Sequence, residues 1–182
     1  MANPFVGSLL PPIGLEIPCS MYAVNVPLQV NVLGLISLDF KGGIRYRVEA
    51  NIGAGLGGTK LKIIGFEMSA DSPILGKVTL SQADIDTTPL SLLELISTLP
   101  PKFRATTFLD VTMTTEKPPG GGPPLVLANT KTMALRNDNL TVFPPQGSVF
   151  QLQQPVDFAP VGAPNQIIAT LQQFPVTVSH NP

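Results

Sequence analysis

GIRYRVEA, at residues 43–50, is the stretch of sequence that decides the fold class. Apolar residues at positions 44, 46 and 48 alternate strictly with charged residues at positions 45, 47 and 49. Side chains of a β-strand point alternately to its two faces, so this pattern sets one face against a core and the other in water. The segment is therefore predicted to be a half-buried β-strand.

The sequence before this strand alternates in the same way. Apolar residues at positions 36, 38 and 40 are separated by Ser37 and Asp39. Between the two runs lies Lys-Gly-Gly at positions 41–43, and glycine readily adopts the positive φ that short hairpin turns require. We therefore predict a tight hairpin here.

A further strand is predicted at residues 59–70, where the alternation slips by one residue. Leu61 and Ile63 share a face, but beyond Gly65 the apolar positions continue at Phe66 and Met68. Such a slip next to glycine is typical of a β-bulge, which bends a strand and helps a small sheet to close.

The rest of the chain adds more strands. Alternating segments at 102–116 and 125–136 predict a strand pair joined by a Pro- and Gly-rich hairpin tip at 117–124. Residues 91–98 fit neither period and are predicted to be a short helix or a loop. Shorter strands are predicted at 21–29, 77–80, 140–143, 149–153, 166–172 and 176–179.

These elements predict an all-β fold. We expect residues 1–182 to form one antiparallel β-barrel or sandwich of about 8–10 strands with at most one short helix. A Pro-rich N-terminal arm is expected at residues 1–18.

Composition excludes several function classes. Charged residues are 13% of the chain, hydrophobic residues are 43%, and the net charge is −1. No basic cluster is present that could displace counterions from phosphates, so no nucleic-acid partner is expected.

The uncharged segment 17–38 is broken by Pro18 and Pro27, which argues against a membrane span. A single cysteine and the lack of a signal-like start indicate a reducing, cytoplasmic setting.

Few residues are suited to metal, cofactor or nucleophilic chemistry. The chain has one histidine, His180, and one cysteine, Cys19, which lies in an apolar stretch. Neither a zinc site nor a serine triad can be assembled from this set, and no cofactor is expected. GAGLGG at 53–58 matches a dinucleotide fingerprint, but a strand follows it instead of a helix, so we interpret it as a hairpin loop.

Carboxylates are the remaining candidates for acid/base chemistry. Asp84 and Asp86 would share one face of an extended segment, although the local sequence is also typical of a turn. Glu67 follows the predicted bulge, and if the slip turns it inward, an interior carboxylate could act as an acid or base. Glu67 is therefore one catalytic candidate. The second is Tyr46, whose hydroxyl lies among the apolar positions of the strand at 43–50.

The apolar residues indicate a second kind of site. A closed barrel can leave space for one ligand, in which a tyrosine hydroxyl would orient an apolar molecule. Candidate ligand-binding residues are Tyr22, Phe40, Phe66, Met68, Met113 and Met133.

The leading hypothesis is a protein that binds a hydrophobic, polyfunctional small molecule. The protein would act as a carrier, or as a cyclase or isomerase of secondary metabolism that works by folding its substrate. At the level of architecture only, such a protein resembles small β-barrel cyclases that fold linear polyketides into rings. The alternative is a structural or self-assembling protein with apolar surfaces.

The C-terminal part of the chain suggests self-association. Asp157 is its only charged residue from position 139 to position 182. Cores of interfaces are depleted in charge, and so are strands covered by other parts of the same chain. We predict a homodimer that uses this region.

Overall fold

A computed structural model describes residues 10–53, 55–84, 86, 89–118 and 121–180. Within these ranges every regular element is a β-strand, and no helix is long and apolar enough to cross a membrane. Residues 1–9 of the predicted arm and 119–120 of the predicted tip lie outside the description. The strands are β1 (Glu16–Val30), β2 (Gly34–Ile52), β3 (Gly58–Ser72), β4 (Gly76–Gln82), β5 (Ser91–Thr98), β6 (Pro101–Leu109), β7 (Val111–Thr115), β8 (Leu125–Asn129), β9 (Met133–Leu140), β10 (Gln146–Leu152), β11 (Val156–Pro160), β12 (Ala169–Leu171) and β13 (Val176–His180).

The strand pairings close two rings that share β1, β2 and β3. One ring runs β1-β2-β3-β4-β7-β8-β11-β12 and returns to β1; we call it the upper half. The other runs β1-β2-β3-β5-β6-β9-β10-β13 and returns to β1; we call it the lower half. Every pairing is antiparallel, and each ring has eight strands. The predicted antiparallel β-barrel is thus confirmed.

The two halves are stacked along the same strands. β1 pairs with β13 through residues 19–22 and with β12 through residues 28–30. β6 and β7 are separated by Asp110 alone, and the other strands continue from one half to the other through connections. β1, β2 and β3 thus run through both halves, and the other strands end and begin again at one level, which we call the waist.

Connections between neighbouring strands close the two ends of the barrel. At the upper end they span 31–33, 73–75, 116–124 and 161–168, and at the lower end 53–57, 99–100 and 141–145. The dinucleotide-like segment therefore joins two antiparallel strands, β2 and β3, as predicted. The start of β1 at Glu16 places residues 16–18 in the barrel wall and not in an N-terminal arm.

The predicted tight hairpin at 41–43 is wrong, because β2 runs without interruption through these residues. Neither glycine has a positive φ. A Cβ at Gly42 would overlap the carbonyl oxygen of Glu67, and a Cβ at Gly43 would come within 2.9 Å of the carbonyl oxygen of Cys19. These glycines permit close approach of neighbouring strands and do not form a turn.

The bulge predicted near Gly65 is confirmed. The β2–β3 register shifts between Arg45 and Tyr46, opposite Gly65 and Ile63. The shift restores the inward direction for Phe66, and it leaves Glu67 exposed on the outer face.

Two long predicted strands are each divided at the waist. Residues 102–116 form β6 and β7, and residues 125–136 contribute to β8 and β9. The Asn129 side chain bridges the first break: its Oδ1 accepts from the Val111 amide at 3.0 Å and its Nδ2 donates to the Leu109 carbonyl at 3.2 Å. Polar side chains thus replace ladder hydrogen bonds where the wall bends.

The predicted helix or loop at 91–98 is the strand β5. Its register against β6 shifts between Leu95 and Ser97, which leaves Ile96 exposed while Leu93 and Leu95 face the core. This bulge breaks the alternation and explains why the segment fits no simple period.

Apolar side chains fill the interior. An eight-stranded barrel is just wide enough for its inward side chains to pack together. At the waist, the rings of Phe40 and Phe174 meet edge to face with their centroids 5.8 Å apart, and both residues are buried.

Candidate ligand-binding site

A small cavity lies at the upper end of the barrel, beneath the connections that close it. Its volume is about 10 Å³, roughly the space that one water molecule needs. β1, β7, β8 and β12 supply most of the lining, and the connections at 73–75 and 161–168 supply one residue each. The lining residues are Leu28, Val30, Leu75, Met113, Thr115, Leu125, Leu127, Ile168 and Ala169.

Thr115 is the one polar residue of this lining. It is the last residue of β7, and 3% of its surface is exposed. Among the described residues, no group forms a hydrogen bond with its Oγ1. A buried hydroxyl without a partner costs free energy, so this position is unfavourable for folding alone.

The connection at 73–75 holds Leu75 over the cavity. Ser72 Oγ accepts hydrogen bonds from the amides of Ile74 and Leu75, at 3.2 and 3.1 Å. The Leu75 carbonyl in turn accepts from the Lys117 amide at 2.7 Å, at the base of the β7–β8 connection. One side of the upper end is therefore fixed by two hydrogen bonds to the Ser72 side chain and one between backbone groups.

The connection at 161–168 holds Ile168 on another side. The Ile168 amide donates to the Phe158 carbonyl, and its carbonyl accepts from the Asn31 amide, each at 2.9 Å. Asn31 Nδ2 also donates to the carbonyl of Ile167. Ile168 is only partly buried, so this side of the cavity lies close to solvent.

The lower half has buried hydroxyl groups too, and these are paired. The hydroxyls of Tyr46 and Thr107 lie 2.8 Å apart, and Thr59 Oγ1 donates to the Ala50 carbonyl at 2.7 Å. Ser91 Oγ accepts from the Phe108 amide at 3.0 Å.

Two acidic groups of the lower half are held in their neutral forms. Burial raises the pKa of Tyr46 far above its ordinary value, and the hydrogen bond between Tyr46 and Thr107 offsets part of that rise. Burial likewise raises the pKa of the Cys19 thiol to about 11. Both groups stay protonated at neutral pH, so neither is an activated base or nucleophile.

The structure separates the predicted site residues into three groups. Met113 lines the cavity. Tyr22 and Glu67 are exposed on the outer face, so neither can contact a molecule inside the barrel. The others are buried in the interior but are not part of the cavity lining: Phe40, Tyr46, Phe66, Met68 and Met133.

The aspartate pair belongs to a connection at the waist. Asp84 Oδ1 accepts from the Asp86 amide at 2.8 Å, which is the turn geometry that the sequence suggested. Asp86 also forms an ion pair with Lys62 at 3.3 Å, and its side chain is 79% exposed. Within the described ranges, no three His, Cys, Asp or Glu residues are grouped so that they could hold a metal ion.

Three residues of the cavity lining that bear on its function were not among the predicted site residues: Thr115, Leu75 and Ile168. The alternation that places Met113 inward also places Thr115 inward, so a signal for Thr115 was present. Leu75 lies in a connection, where no periodicity applies, and Ile168 lies within the strand predicted at 166–172 but just before the observed β12.

No protein-family model matches the sequence, and no curated protein sequence matches it. The fold is similar to that of a solved structure, DynF from the dynemicin biosynthesis pathway of Micromonospora chersina. The similarity covers 94% of this chain and 82% of that chain, with a TM-score of 0.75 and 18% identity. At this level of identity the likeness concerns the fold.

Proposed function

We propose that this protein binds a hydrophobic small molecule of secondary metabolism at the upper end of its barrel. The observation that carries the proposal is the apolar cavity, whose lining contains one buried hydroxyl that has no partner among the described residues. An apolar lining with very few polar groups is typical of small-molecule sites. The fold similarity to DynF, a protein of a biosynthesis pathway, supports the metabolic context.

The cavity must widen to accept a ligand, and its lining favours this. Leu75 and Ile168 lie in connections, and Leu125 is the first residue of β8. Displacing such residues disrupts fewer ladder hydrogen bonds than displacing a strand centre. Met113 adds a flexible, polarisable side chain that can adapt its shape.

The same lining constrains any reaction at this site. None of its residues titrates near neutral pH, so general acid/base catalysis by the lining is not available. A cyclisation or isomerisation here would depend on the shape in which the substrate is held. Carriage of the molecule needs no further group.

The experiment uses the methionine methyl groups as position-specific probes. Met113 lines the cavity, whereas Met133 is buried in the lower half at β9. In protein carrying ¹³C-methyl methionine, titration with a panel of apolar molecules should shift the Met113 resonance and leave the Met133 resonance in place. Single Met→Leu variants assign the two signals.

The panel should include cyclic and linear hydrocarbons, ketones, alcohols and polyenes. A Met113 signal that no member of the panel moves would contradict the proposal. A larger response at Met133 would instead place a binding site in the lower half.

A further inference from the structure

We propose that Thr115 is the polar anchor of this cavity and selects a ligand whose inserted end is uncharged and can hydrogen bond. Ketones, aldehydes, esters and alcohols belong to this class, and carboxylates do not. The inference rests on the proposed function, because it concerns the ligand of the same site.

Among the described residues, no contact of the folded chain uses the Thr115 hydroxyl. Thr59 and Thr107, the other buried threonines among the described residues, both have hydrogen-bond partners, whereas Thr115 has none there. Valine has nearly the same shape and an equal tendency to form strands. A threonine at this position is therefore explained by a partner that arrives from outside the chain.

The geometry of the Thr115 side chain allows its hydroxyl to turn toward a ligand in the cavity. The hydroxyl and the methyl group of Thr115 both branch from Cβ, so rotation between staggered χ1 wells exchanges their directions. Since the residue lines the cavity, its hydroxyl can face a ligand there. The ligand is the available partner, because water held in an apolar cavity would lack the two to four polar contacts it needs.

The charge around the cavity determines which ligand ends can enter it. The cavity lining contains no charged group, and the nearest charges along the chain, Glu116 and Lys117, are exposed. A carboxylate placed beside Thr115 would lose its hydration without gaining a counter-charge, which is far more costly than burying a carbonyl group. The inserted end of the ligand is accordingly neutral.

The test compares three probes that share a six-membered carbon ring: cyclohexanone, cyclohexane and cyclohexanecarboxylate. Each is titrated into the whole protein, and Kd is obtained from the Met113 methyl resonance. The variants are Thr115→Val, which removes the hydroxyl, Thr115→Ser, which keeps it, and Thr114→Val, which changes the neighbour on the opposite face of β7.

We expect Thr115→Val to raise the Kd of cyclohexanone about fivefold, the worth of one net hydrogen bond. The same substitution should leave the Kd of cyclohexane unchanged. Thr115→Ser should keep the preference, since its hydroxyl remains, and Thr114→Val should alter neither Kd. Cyclohexanecarboxylate should bind more weakly than both neutral probes.

Other results overturn the inference. If Thr115→Val changes both neutral Kd values equally, the side chain acts through its shape alone. If the carboxylate binds as well as the ketone and ignores the substitution, the polar end of the ligand lies outside the cavity. In both cases the proposed function stands, whereas it fails together with the inference if no probe moves the Met113 signal.

Discussion

The two halves of the barrel have eight strands each and share three of them, yet they differ in how completely their buried hydroxyl groups are paired. In the lower half the hydroxyls of Tyr46, Thr59 and Thr107 are all paired with partners from the same chain. In the upper half Ser72 Oγ accepts from two amides, whereas Thr115 lacks a partner among the described residues and lines a cavity. The lower half therefore has the character of a completed core, and the upper half that of a site still able to gain contacts.

The connections that close the two ends of the barrel also differ in length. Of all the connections that close the two ends, the two longest are both at the upper end, where they span 116–124 and 161–168. The lower end is closed by shorter connections, at 53–57, 99–100 and 141–145. Long connections at one end of a rigid barrel are where binding is commonly found.

The largest effect is expected at the waist, where a single change should damage both halves together. Gly42→Ala places a Cβ against the backbone of Glu67 and Met68, which cannot move without separating β2 from β3. We expect the free energy of unfolding to fall by about 3 kcal/mol or more. Urea denaturation measures it.

The matched control is Gly53→Ala, because a Cβ at Gly53 meets no atom within 4 Å. Equal stability of the two variants would show that the close approach at Gly42 does not constrain the barrel.

The next effect tests the paired hydroxyls of the lower half. Thr107→Val removes the hydroxyl that lies 2.8 Å from that of Tyr46 and leaves the tyrosine hydroxyl buried without its partner. The free energy of unfolding should fall by about 1–3 kcal/mol. The urea midpoint should decrease at an unchanged m value. A variant as stable as the wild type would remove the distinction between the halves.

The smallest effect is expected from the same substitution in the upper half. Thr115→Val replaces a hydroxyl that has no described partner, so the free energy of unfolding should stay the same or rise by up to about 1 kcal/mol. Urea denaturation without ligand, beside Thr107→Val, provides the comparison. A loss as large as that of Thr107→Val would mean that the Thr115 hydroxyl is needed for folding.

The sequence was informative wherever alternation was regular. The strand at 43–50 and the bulge at Gly65 could be predicted because inward and outward positions differ so sharply in polarity. The hairpin at 41–43 could not be rejected, since glycine supports both positive φ and close strand approach, and only the neighbouring strand distinguishes the two.

The site was harder to predict than the fold. A shift of one residue exchanges the faces of a strand, and this is why Tyr22 and Glu67 are exposed although both were candidates. The cavity depends on Leu75 and Ile168, which tertiary hydrogen bonds position from outside the strands. The predicted homodimer stays a prediction. On the outer face of the barrel, about half of the surface of Tyr22 and of Val149 is exposed.

The order of the strands also has a consequence for synthesis of the protein on the ribosome. The chain passes from one half to the other repeatedly, so neither half corresponds to a continuous piece of sequence. β1 is synthesised before the other twelve described strands, yet its partners on the closing side are β12 and β13, the last of these strands in chain order. Both rings can therefore close only after β12 and β13 have been synthesised, and the edge of β1 stays open until then. Closure is a late, long-range event that completes the upper half and the lower half together.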